Sequence, residues 1–93
     1  MIEKLIEKLK ALPNIHNVEI NKSEDSEAMC EIIVYATVKK RMLDFTTINV
    51  PGALYFKVNL EFLKSEEDID RMFNNLVLLL KAAGLDIKDQ GGN

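Results

Sequence analysis

Three features of this sequence predict an α+β fold with the element order α-β-β-β-β-α. Residues 28–38 and 53–62 alternate apolar and mixed side chains with the period of two that a half-buried strand requires. Residues 2–12 and 65–83 space their apolar side chains three and four apart, as amphipathic helices do. Only one sheet face is continuously apolar, so both helices are expected to pack on that face of a four-stranded antiparallel meander.

In the first helix, Ile2, Leu5, Ile6, Leu9 and Leu12 make one stripe and the charges lie outside it. Pro13 ends it, because the residue before proline is pushed away from helical geometry. Residues 15–21 form the first predicted strand, with Val18 and Ile20 inward and Ile20 opposite Cys30. The polar segment 22–27 follows. Its acids Glu24, Asp25 and Glu27 lack the turn glycine that a calcium loop uses, so a solvated loop is expected.

The next strand, residues 28–38, turns Cys30, Ile32, Val34, Ala36 and Val38 to the core. The strand at 42–50 takes its face from the turns on either side. A turn at 39–42 sets Val38 opposite Leu43 and Ala36 opposite Phe45. A type II turn at 50–53, with Pro51 second and Gly52 third, sets Phe45 opposite Val58. Leu43 and Phe45 are then core residues. The other face carries the row Ile33–Ile48–Tyr55, flanked by Val50 and Ala53, and the row Tyr35–Thr46–Lys57. Ser65-Glu66-Glu67-Asp68 opens the last helix with a capping serine and acids at its positive end. Gly84 is placed just past its C-terminus. Residues 1–87 make one domain, and 88–93 read as a flexible C-terminal tail.

The chain has 93 residues, 47% hydrophobic and 29% charged, the balance of an ordinary soluble domain. Its net charge of −3 argues against general nucleic-acid binding. No signal-peptide pattern and no apolar run of about 18–20 residues occur, so a cytoplasmic location without membrane contact is expected. One cysteine allows no internal disulfide, and one histidine with one cysteine falls short of the three or four ligands of a zinc site. No glycine cluster precedes a helix to cradle phosphate. Neither a catalytic constellation nor a metal nor a cofactor is expected.

Two surfaces remain. The apolar end of the open sheet face, with Ile33, Tyr35, Ile48, Val50 and Tyr55, is the expected interface, because contiguous exposed apolar patches mark partner surfaces. It points to a small non-catalytic protein-interaction module. A homodimer is its simplest form, since two-fold symmetry uses one patch twice. The second surface is basic. Lys39, Lys40 and Arg41, with Lys57 and the two tyrosines, hold the ingredients of a nucleic-acid stacking platform. The element order is similar to that of double-stranded-RNA-binding domains, α-β-β-β-α, with one strand added. That resemblance implies RNA binding. The family's basic cluster at the start of its last helix is replaced here by Ser65-Glu66-Glu67-Asp68, which repels phosphate.

Overall fold

The structure, a computed structural model, describes residues 1–87; the tail expected at 88–93 lies outside the described residues. Helix α1 spans Ile2–Lys10, strand β1 Ile15–Lys22, strand β2 Met29–Arg41 and strand β3 Thr47–Asn59. A single 3₁₀ turn at Leu60–Phe62 leads to helix α2, Glu66–Ala82. The fold is α+β, with one antiparallel sheet in the order β1-β2-β3.

Among the described residues the sheet has three strands, not the expected four. Residues 47–50 and 53–59 of the last two predicted strands belong to one continuous β3, which runs straight through Pro51-Gly52, while residues 42–46 form a turn and 60–62 the 3₁₀ turn. Thr37 lies opposite Pro51 and Ala36 opposite Gly52, with no bulge along the pairing. The ladder explains why proline is tolerated. The Thr37 N–H donates to the Asn14 carbonyl at 2.9 Å and the Lys39 N–H to the Gly84 carbonyl at 2.8 Å, both on the side away from β3. Odd-numbered β2 residues therefore bond away from β3, and even-numbered ones bond to it. Pro51, paired with an odd-numbered residue, points its nitrogen to the outer edge, where no ladder bond is lost.

The hairpin closes instead at residues 42–46. The Phe45 N–H donates to the Met42 carbonyl at 3.0 Å and the Met42 N–H to the Thr46 carbonyl at 2.8 Å. Phe45 has φ +69°, the left-handed residue that follows the turn in a bulged three-residue loop. Leu43 and Phe45, expected in the core, are 100% and 79% exposed.

The core face otherwise follows the even-numbered pattern. Cys30, Ile32, Val34, Ala36, Val18 and Val58 are buried, and Ile20, Leu54 and Phe56 pack against them half-buried. Ile20 is opposite Ile32, and Lys22 rather than Ile20 is opposite Cys30, a shift of two residues that leaves the inward face unchanged. From the helices come Leu5, Ile6, Leu9, Ile69, Leu76 and Leu80.

The ends of α2 are set locally. The Ser65 hydroxyl accepts from the Asp68 N–H at 3.1 Å, and the Asp68 carboxylate accepts from the Ser65 N–H at 3.2 Å, a complete capping box. At the other end the Leu85 N–H reaches the Leu80 carbonyl and the Gly84 N–H the Lys81 carbonyl, the two bonds of a Schellman ending. Gly84 has φ +106°, and a Cβ there would lie 2.4 Å from the Lys39 carbonyl oxygen. The helix therefore ends against β2, and Leu85 bridges to Val38 just beyond the end of β1.

Candidate functional site

Continuous alternation through β3 sorts the five expected interface residues onto two faces. Tyr55, odd-numbered, lies on the open face opposite Ile33, and Tyr35 is one pair along, opposite Ala53. Ile48 and Val50 are even-numbered and share the helix-side face with Leu54 and Phe56. The expected row Ile33–Ile48–Tyr55 is thus corrected to the pair Ile33–Tyr55, and Ile48 pairs with Lys40 near the hairpin end. One β-turn fewer reverses the face of everything between the false turn and the true one.

The open face is also less apolar than expected. Ile33, in the central strand between Glu19 and Tyr55, is only 6% exposed. The Tyr35 hydroxyl donates to the Glu19 carboxylate at 3.3 Å. Desolvation, reinforced by Glu19, raises the Tyr35 pKa, so the phenol stays protonated and keeps donating. Tyr55 is the large exposed apolar side chain of this face.

The basic residues do not form one patch. Lys39 is held by Asp86 at 3.1 Å. Lys39 and Arg41 share the open face, while Lys40 is directed to the helix side. Lys57 is opposite Glu31, ten residues along β2 from Arg41, a span of about 33 Å.

The hairpin arm carries the apolar surface that sequence reasoning assigned to the core. Beyond Lys39 and Asn49, among the described residues, β2 and β3 pair only with each other, and their residues are exposed. At the tip Met42, Leu43, Asp44, Thr46 and Ile48 line one shallow depression. The Asp44 carboxylate accepts from the Thr46 hydroxyl at 2.6 Å and from its N–H at 3.1 Å. These bonds, the hydroxyl's first, lower the Asp44 pKa. Asp44 is therefore the brace of the turn. The signal that could have found the tip is the unbroken alternation Ile48–Val50–Leu54–Phe56–Val58, which a turn at Pro51 would have had to reverse.

His16 and Cys30 do not form a nucleophile–base pair. His16 sits at the irregularity between Ile15 and Asn17, with Nε2 2.5 Å from the Thr37 hydroxyl, while Cys30 is buried at the far end of the β1–β2 pairing. Burial raises the Cys30 pKa, which disfavours a reactive thiolate. Among the described residues no group of three or more His, Cys, Asp or Glu side chains is placed to hold a metal ion. No helix of the described residues is long and apolar enough to cross a membrane. No protein-family model, curated protein or solved structure matches this chain.

Proposed function

We propose that this chain is a small non-catalytic protein-interaction module that engages its partner with the tip of the β2–β3 arm. The observation that carries the reading is Phe45, a bulky aromatic held at positive φ and exposed to solvent. Left-handed backbone is unfavourable for any residue with a Cβ, and glycine or asparagine usually takes this turn position. Exposing the ring adds nothing to folding. Strained residues of this kind concentrate at ligand clamps and switch regions. Leu43 and Met42 beside it extend the apolar tip, and the arm carries it clear of the core.

The test is a paired capture experiment with the wild-type chain and a Leu43→Ser/Phe45→Gly double variant, each checked for folding by circular dichroism. Proteins retained by the wild type and lost from the folded double variant support the reading. Identical sets retained by both remove it.

A further inference from the structure

The outer edge of β3 has a free stretch of definite length. Its outward backbone groups belong to the odd-numbered residues, and Pro51 supplies no donor. At the other end the chain leaves the strand at Asn59, whose side chain caps the 3₁₀ turn by accepting from the Glu61 N–H at 2.9 Å. Between these stops Ala53, Tyr55 and Lys57 present their N–H and C=O groups outward, and among the described residues no strand pairs with them.

The same flank is open above the sheet. Lys4 pairs with Glu66, Lys8 with Asp70 at 3.0 Å, and the Lys8 ammonium lies 5.2 Å from the centre of the Phe73 ring. These contacts place α1 along one side of α2. The opposite side carries Met72, Asn75 and Leu79 at helical spacing. Met72 and Asn75 share a depression with Glu61 and Phe62, just after β3, so this side of α2 overhangs the β3 flank. Leu79 is 54% exposed there, and Leu54 and Phe56 beneath are only half-buried.

We propose that a second copy of this chain pairs antiparallel with β3 about a two-fold axis at Tyr55, giving a continuous six-stranded sheet. The edge is complementary to itself in this register. Tyr55 meets Tyr55, and Ala53 meets Lys57 of the second copy, with two N–H···O=C bonds per pair and about six in all. Pro51 falls opposite Asn59 of the second copy, at the limit of the pairing, so its missing donor takes nothing from those six bonds. Lysine and proline on an edge normally discourage such pairing. Here proline only bounds it, and Lys57 meets alanine rather than a like charge.

The inner face decides in favour of a second copy over an unrelated strand. Within one chain the rows Ile20–Ile32–Phe56 and Val18–Val34–Leu54 are apolar throughout. About this axis Phe56 lies opposite Leu54 of the second copy, so each row continues into the other chain without a polar residue. The overhanging sides of α2, with Leu79, then flank the junction. A stable interface needs about 800 Å² from each partner, and the strand edge and the helix flank contribute to it together.

The proposal is independent of the tip reading, because the edge and the tip are different surfaces. Sedimentation of the wild-type chain across micromolar concentrations is expected to show a monomer–dimer equilibrium. Tyr55→Pro removes an outward N–H, as Pro51 already does, so the monomer is expected to stay folded by circular dichroism. Its dimer dissociation constant is expected to rise at least about tenfold. A Tyr55→Cys variant is expected to form a symmetric disulfide on mild oxidation, since Cα atoms of a hydrogen-bonded pair lie about 5.5 Å apart. Leu43→Cys is the control at the tip. A wild type that remains monomeric at the highest concentration overturns the proposal. So does a dimer that crosslinks through Leu43→Cys and not through Tyr55→Cys.

Discussion

Phe45 is where the residue scale is most informative. Its side chain is apolar and flanked by alternating apolar positions, so spacing alone sends it to the core. The backbone sends it out, because the loop at 42–46 needs a left-handed residue at position 45. Phe45→Gly relieves that conformation without removing a core contact. It is expected to raise stability by about 1 kcal/mol, read as a higher urea midpoint at unchanged slope. A lower midpoint would mean that the ring packs against the arm. Glycine has the opposite message at position 84. There φ is +106° and the Lys39 carbonyl leaves no room for a Cβ, so Gly84 joins the helix end to the sheet.

Among the elements, α2 is the most fully specified by its own sequence. Ser65 and Asp68 cap one end, Gly84 ends the other, and Ile69, Leu76 and Leu80 face the core. Ser65→Ala is expected to cost about 1 kcal/mol, measured by the same denaturant titration. The cap also introduces a pH dependence. The Lys64 and Ser65 backbone N–H groups and the Ser65 hydroxyl stabilise the Asp68 carboxylate and lower its pKa from the ordinary 3.8. The unfolded chain then takes up the proton at higher pH than the folded one. This contribution is complete well above the unfolded pKa and is lost as pH falls through the folded value. Glu66 beside Lys4 and Asp44 beside Thr46 shift in the same direction, so stability is expected to fall together below about pH 4. Asp68→Asn is expected to flatten that acid limb. An unchanged midpoint between about pH 6 and pH 3 in the wild type would contradict this account.

At the scale of the whole molecule, the arm and the bare β3 flank stand out. The Cα radius of gyration is 14.4 Å, against about 12 Å for a compact chain of this length. The two helices cover β1 and β2 more completely than β3, whose inward residues apart from Val58 remain half-buried or exposed. Pro51 is then a limit on how far the free edge can pair. Pro51→Thr restores an outward donor and lengthens that edge. It is expected to leave the fold intact by circular dichroism and to increase association in sedimentation. If association is unchanged, the outer half of β3 takes no part in pairing.

The sequence by itself determined the elements whose signals are local. Helix α1 follows from its apolar stripe and Pro13, α2 from its cap and Gly84, and the inward residues of β1 and β2 from alternation. Those signals arise within a few residues, where propensity, capping and spacing act. What Pro51-Gly52 does is not local. The pair suits a type II turn, and it suits an edge strand equally well if the proline nitrogen faces outward. Only the ladder decides, through the Thr37 N–H turning to Asn14 and leaving position 51 without a bond to make. That one choice merged two expected strands and moved the turn to Met42–Thr46. It also put Ile48 and Val50 on the helix side and exposed Leu43 and Phe45. The face of a strand has a period of two, so a turn assigned to the wrong dipeptide reverses every side chain up to the next turn. The candidate surfaces followed that reversal, because they are defined by which face each residue occupies and which neighbours remain to cover it.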